Sequence, residues 1–207
     1  MAKSVMPPPK LILASASAAR RAMLERAGVL FDAKPAKIDE RAVQDVLMGD
    51  DSEVEPADIA ELLAEAKARD VSERHPGALV IGSDQVLEFE DEILNKPADL
   101  AQARAALKLL RASTHQLHSG VAIALDGEVV WSLVDTASLT MRQFSDKFLA
   151  AYIAEEGEAL CSSVGAYKLE GRGLQLFEHI DGDYFTILGM PLLPLLNELR
   201  ARGAIAT

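Results

Sequence analysis

Apolar positions along the chain fall into two patterns in turn: short solid runs of buried-strand type, and stripes at helical spacing. Leu11, Ile12, Leu13 and Ala14 form the first run. Ser15 and Ser17 follow as N-cap candidates, a helix is expected over residues 20–27, and Gly28 suits its stop. A second strand is expected over 31–37, and the acidic stretch 39–55 reads as a long, partly helical loop over an opening. Pro56 suits the first turn of a helix whose apolar stripe is Ile59, Leu62, Leu63 and Ala66, ended by His75-Pro76-Gly77. Residues 78–81 make a buried strand that ends at Gly82-Ser83-Asp84-Gln85.

In the second half, Asp91 and Glu92 are expected to turn a hairpin that Asn95-Lys96-Pro97 closes. Leu100, Ala103, Leu107 and Leu110 mark a helix, and strands over 121–125 and 128–133 flank Asp126-Gly127, a strong hairpin signal. Ser145 caps a helix through Tyr152, a glycine-rich strand region spans 165–184, and Pro191 opens a last helix with Leu192, Leu195, Leu196 and Leu199 as its stripe. The alternation implies an α/β fold with a mixed β-sheet and flanking helices. Residues 1–10, with Pro7-Pro8-Pro9, read as an extended leader, and 11–207 as one domain. No linker divides that domain, so any two lobes share one body.

Composition narrows the class. With 49% hydrophobic and 26% charged residues among 207, the chain has the balance of a globular protein with a sizeable core. No window holds the roughly 18 unbroken apolar residues of a membrane span. The one cysteine, Cys161, excludes an internal disulfide framework and a multi-cysteine zinc site. A cytoplasmic location is expected. Against 21 basic residues stand 32 acidic ones, for a net charge of −11. Such a surface repels phosphate backbones and anionic lipid, so neither nucleic acid nor membrane is an expected partner. A small phosphorylated ligand stays compatible if a few cations are gathered locally, with a metal ion to help.

Four places could gather them. Ser15 to Arg21 follow a strand and open a helix, which brings hydroxyls, free N–H groups and the Arg20 guanidinium to a positive helix end. The same residues also suit an ordinary serine cap with solvated arginines. Lys67 falls at the border of its helix's apolar stripe, where a lysine either snorkels along the core or points into a cleft. Asp84, at the end of its strand, could ligate a hard cation, accept a proton from water, or merely close a turn. Lys96 precedes Pro97 at the hairpin's return, a solvated position unless a cleft opens there. His115 and His118 are three apart in extended chain and so on opposite faces, which gives no expectation of a histidine metal site.

These segments also form an ordered set. Leu11 to Ser17 with Arg20-Arg21, Ile38-Asp39-Glu40, Ala64-Glu65-Ala66-Lys67-Ala68, Ile81-Gly82-Ser83-Asp84-Gln85 and Asn95-Lys96-Pro97 resemble the Maf family of nucleoside triphosphate pyrophosphatases. The resemblance continues through Thr114-His115, Gly120-Val121, Gly165-Ala166-Tyr167, Gly171, Ile180-Asp181-Gly182-Asp183-Tyr184 and Leu188-Gly189-Met190-Pro191-Leu192, nearly the whole chain. Ala18 departs from the proline usual in the family, and Asn95 from the glycine common before Lys-Pro. Ala19 replaces an arginine or tryptophan.

The resemblance implies a mixed sheet between two lobes with the site in a central cleft, as in the related inosine triphosphate pyrophosphatase fold. It implies hydrolysis of a nucleoside triphosphate to monophosphate and pyrophosphate, with Mg²⁺ or Mn²⁺ and often as a homodimer. Residue by residue, it makes Asp84 the catalytic proton acceptor, with Lys67 and Lys96 beside it and Ser15 and Arg20 on the substrate. Glu40, with Asp84, is the implied metal ligand. At the two positions that set base preference stand Gln85 and Glu170, the pattern of the branch acting on 7-methyl-GTP rather than on dTTP or UTP. Rival expectations are an inosine triphosphate pyrophosphatase and a binding protein regulating septum formation, with which family members have been linked.

Overall fold

The computed structural model describes residues 9–49 and 54–206. The expected leader thus lies almost wholly outside the described residues, as do residues 50–53 of the acidic stretch. Among the described residues seven strands form one mixed sheet: β1 (Leu11–Leu13), β2 (Asp32–Ala33), β3 (Leu79–Phe89), β4 (Glu92–Leu94), β5 (Thr114–Leu125), β6 (Glu128–Met141) and β7 (Phe177–Asp181). Their order is β2-β1-β3-β5-β6-β7, with β4 also on β3. β1 runs parallel to β2 and β3, and every other pairing is antiparallel. The flanking helices are α1 (Ala18–Arg26), α2 (Glu40–Leu47), α3 (Pro56–Ser72), α4 (Leu100–Leu110), α5 (Asp146–Glu156), α6 (Tyr184–Ile187) and α7 (Leu192–Ala201). Among the described residues, no helix is long and apolar enough to cross a membrane.

Two apolar clusters make the lobes. One gathers Leu13 and Ile81 with Leu24 of α1 and Leu195 and Leu199 of α7. The other gathers Leu87, Leu117 and Leu139 with Leu107 and Leu110 of α4 and Leu149 and Tyr152 of α5. β3 and β5 pass through both, so the lobes share one sheet.

β3 explains where the opening lies. One of its edges is covered by β5 from Val80 to Glu88. Its other edge pairs in parallel with β1 at Leu79, Val80 and Ile81, then antiparallel with β4 at Leu87, Glu88 and Phe89. Residues 82–86 between them have no partner strand on that edge among the described residues. Asp84 stands at the middle of this gap. It therefore does not end its strand, as the sequence suggested; the strand runs on for five residues, and what ends is its neighbour.

Four other expectations need correction. The second strand is two residues, not seven, because only Ile12 and Leu13 are there to pair with it. The hairpin turns at Glu90 and Asp91, both with positive φ, one residue earlier than expected. The glycine-rich strand region is mostly irregular: 3-10 turns at Gly157–Ser162 and Arg172–Leu176 flank a loop, and only β7 is extended. On α3 the buried face is Ile59, Ala60, Leu63, Ala64, Lys67, Ala68 and Val71, while Leu62 is 39% exposed. Bulk misled here, because the face against the sheet is made of small residues.

That face is small because the helix nearly touches the strands. A Cβ on Gly82 would stand 2.1 Å from the Ala64 carbonyl oxygen, and one on Gly120 would stand 2.2 Å from that of Ala60. Two glycines side by side in the sheet (Gly82 pairs with Ala122, Gly120 with Asp84) admit the alanine ridge of α3 to backbone contact. Lys67, one turn along from Leu63 and Ala64, is carried to the centre of the buried face rather than its border.

Candidate active site

A cavity of about 470 Å³ opens at the gap in β3. Ser15, Arg20, Glu40, Lys67, Asp84, Gln85, Lys96 and Glu170 all line it. Every side chain that the sequence put forward for the site is thus brought to one place, from six separate segments.

Lys67 enters from α3 and is only 7% exposed, and Asp84 is 11% exposed. The lysine Nζ donates to Asp84 Oδ1 at 2.6 Å and to Glu40 Oε1 at 2.9 Å. The snorkelling alternative is thereby closed. Glu40 is half-exposed and heads α2, where Asp39 caps the helix by accepting from the Ala42 N–H at 3.1 Å. α2 rests on α3 through Val43 and Leu47, which pack with Ile59 and Leu63.

Arg20 closes the strand gap. Its Nη1 donates to the Ser83 carbonyl at 2.8 Å, and its Nε to the Gly189 carbonyl at 2.8 Å. The Ile81 carbonyl, two residues back on the same edge, is taken by the Ala14 N–H at 2.8 Å. Beyond the end of β1, a guanidinium replaces the missing strand. Ser83 also donates to Gly189 at 2.9 Å. Gly189 is needed there, with φ at 98° and Arg20 Nη2 only 3.3 Å from where a Cβ would stand. Burial lowers the pKa of Arg20, while Asp84 and Glu40 act in the opposite direction, and an arginine stays charged regardless. Beside it, Ser17 caps α1, and Ser15 Oγ accepts from the Ser17 N–H at 3.2 Å. The helix N-terminus so formed, with Ala18 and Ala19, lines the cavity.

Lys96 is exposed at the mouth. Partial loss of hydration lowers its pKa, as does the charge of Arg20, while Asp84 and Glu40 pull it up. Glu170 is exposed on the facing loop.

Gln85 is held in one orientation. Its Nε2 donates to the carbonyls of Thr186 (3.1 Å) and Ile187 (3.0 Å) and to Ser119 Oγ (3.0 Å), while Ser119 donates onward to Thr186 O at 2.7 Å. Two carbonyl oxygens facing one amide group settle which end is NH₂. What remains for a ligand is Oε1, which has no hydrogen-bond partner among the described residues.

Hard oxygen donors suit a divalent cation of the Mg²⁺ or Mn²⁺ type. Asp84 and Glu40 fit that role in one respect: their carboxylates already converge on a single positive charge, the Lys67 ammonium. Among the described residues no third acidic, histidine or cysteine side chain joins them, so any further oxygens must come from water or ligand.

A family model described as Maf-like protein matches residues 10–202. The chain belongs to the Maf family. It is 51% identical to the 7-methyl-GTP pyrophosphatase of Rhizobium etli over 197 residues, which cover 95% of this chain and 98% of that protein. It is 53% identical to the 7-methyl-GTP pyrophosphatase of Brucella abortus over 196 residues, covering 95% and 98%. It is 50% identical to the nucleoside triphosphate pyrophosphatase of Caulobacter vibrioides over 193 residues, covering 93% and 96%.

Sequence reasoning missed several parts of this Maf site. Ser83, Ser119, Thr186 and Gly189 support Arg20 and Gln85 from behind, and Lys168 lines the cavity beside Glu170. The supporting contacts span 34 to 169 residues and leave no local pattern to read. Lys168 does leave a signal in the chain, a cation two residues from Glu170.

Proposed function

We propose that this chain hydrolyses a nucleoside triphosphate to the monophosphate and pyrophosphate, with 7-methyl-GTP preferred over UTP and dTTP. The observation that carries the reading is the Lys67 ammonium shared between Asp84 and Glu40 in a cavity that also holds Arg20 and Lys96. Such a cluster has little structural purpose, since apolar residues would stabilise a buried position as well. It suits a ligand that is strongly anionic and reacts by spreading charge over phosphoryl oxygens. The overall charge of −11 would repel that ligand everywhere else.

In this reading, water adds across the α–β phosphoanhydride, its oxygen joining one phosphorus while the bridging oxygen leaves with the other. Asp84 accepts the water's proton, and Lys67 orients the carboxylate and offsets charge on the phosphoryl oxygens. Arg20, Lys96 and the α1 N-terminus hold the phosphate chain. Asp84 and Glu40 would hold a divalent cation, which when bound supplies further charge neutralisation on the phosphates. At the base, Gln85 Oε1 and the Glu170 carboxylate are both acceptors. They match the N1–H and N2–H₂ donors of guanine, and Glu170 also favours the positive charge of 7-methylation. Uracil and thymine would set a carbonyl oxygen against one of those acceptors. A cytoplasmic enzyme, as a monomer or homodimer, completes the reading.

The test is a panel of ordinary and modified triphosphates with Mg²⁺ or Mn²⁺, with pyrophosphate and orthophosphate detected separately. Pyrophosphate as the first product, released fastest from 7-methyl-GTP, is expected. Orthophosphate with a nucleoside diphosphate would reject the proposal.

A further inference from the structure

Among the described residues four cations line the cavity, and three have work in the reading above. Arg20 is bound to two carbonyls, Lys67 to two carboxylates, and Lys96 feels Arg20, Lys67, Asp84 and Glu40 together. The fourth, Lys168, lines the same cavity and has no ion pair among the described residues. It is half-buried on the loop that carries Glu170, two residues away.

That loop is held more firmly than irregular chain requires. The Lys168 N–H donates to Tyr152 Oη at 3.3 Å, and its carbonyl accepts from the Gly171 N–H at 3.2 Å. Gly173 lies so close under it that a Cβ there would stand 2.4 Å from the Lys168 oxygen. On the other side, the Tyr167 ring lies across Gly165, and its hydroxyl bonds buried His115 Nε2 at 2.8 Å. Ala166 between them has φ of 56°, a conformation that non-glycine residues adopt only when their surroundings impose it. The backbone of the loop is thus fixed, and it carries Lys168 and Glu170, residues of opposite charge that both line the cavity.

We infer that Lys168 binds the phosphoryl group nearest the nucleoside, the one retained in the monophosphate product. The inference rests on the proposed function. If Glu170 meets the base, a cation two residues away lies at the nucleoside end of the ligand, where the α-phosphoryl is the nearest negative charge. Arg20, Lys67 and Lys96 then serve the two phosphoryl groups that leave as pyrophosphate. The division also explains an unpaired lysine next to a carboxylate meant for a cationic base: it is neutralised by the α-phosphoryl, not by Glu170.

Calorimetric titration of the folded protein with 7-methyl-GMP and with inorganic pyrophosphate, in Mg²⁺, tests this without turnover. Lys168→Ala should weaken 7-methyl-GMP binding at least tenfold, leave pyrophosphate binding within twofold, and keep the parent circular dichroism spectrum. Lys168→Arg should restore most of the lost affinity. Unchanged 7-methyl-GMP binding in Lys168→Ala, or equal weakening of both ligands, would overturn the inference. Pyrophosphate release by the parent protein reports separately on the proposed function, so either can fail alone.

Discussion

Lys67 reaches Asp84 at 2.6 Å because the helix that carries the lysine and the strand that carries the aspartate are in backbone contact at Gly82. A lysine on a helix packed at the usual distance over side chains would stand off from the strand. The Lys67–Asp84 contact therefore depends on a glycine with no chemistry of its own.

Gly82→Ala should separate the two. Its methyl would enter the Ala64 carbonyl and the Ala68 backbone, neither of which is a flexible side-chain end. A loss of about 1–3 kcal/mol of stability is expected, typical of overpacking, together with a fall in kcat out of proportion to the folded fraction. Chemical denaturation and steady-state kinetics on one preparation would check both. Parent-like kcat in this variant would show that the 2.6 Å contact is dispensable.

Asp84→Asn should lower kcat by at least about a hundredfold, the scale for losing a positioned base or metal ligand. Folding should survive, since the gap in β3 leaves the side chain in a cavity. Lys67→Ala and Lys96→Ala should each cost roughly one to three orders of magnitude in activity. Near-normal rates in the lysine variants would return them to packing and solvation.

Base preference should move with Glu170. Glu170→Gln supplies a donor beside an acceptor, so discrimination between 7-methyl-GTP and UTP should narrow or reverse in kcat/KM. Gln85→Glu is a contrasting case. It would set a carboxylate against the Thr186 and Ile187 carbonyls now served by the amide, and lower thermal stability as well as activity. Faster hydrolysis of UTP or dTTP by the parent would show that the two acceptors do not choose the base.

Acid should loosen the loop that carries Glu170. Burial lowers the pKa of His115 from 6.5 to about 4. Between those values the unfolded chain holds a proton that the folded one does not, so stability falls as pH drops through the window and levels off below it. The full effect is roughly 3 kcal/mol. His115→Gln should flatten the stability profile between about pH 6.5 and 4 relative to the parent; an identical slope would mean that His115 titrates normally.

Much of this was legible in the chain. The helices over α1, α4, α5 and α7, the caps Ser17 and Ser145 and the hairpin at Asp126-Gly127 are local features, and each is where periodicity and turn chemistry put it. All eight candidate side chains face one cavity. What could not be read was relative depth. The expected stripe of α3 was Ile59, Leu62, Leu63 and Ala66, yet Ala60, Ala64 and Ala68 belong to the contact face, because their partners Gly82 and Gly120 are distant in sequence. Likewise, a solid apolar run cannot tell a strand that stops at Asp84 from one that outlasts its neighbour. Gln85 was legible as a residue but not as an orientation, which comes from carbonyls about a hundred positions away.

The unpaired stretch of β3 has one more consequence. An open strand edge is a template on which another chain can add its own hydrogen bonds, and proteins usually shield such edges with charge or a covering segment. Here the shield is Arg20, which occupies the Ser83 carbonyl and buries its charge in the place an intruding strand would take. The guanidinium proposed to bind the phosphates would thus also guard the protein against self-association, and Arg20→Ala should aggregate more readily than the parent in light scattering as well as react slowly.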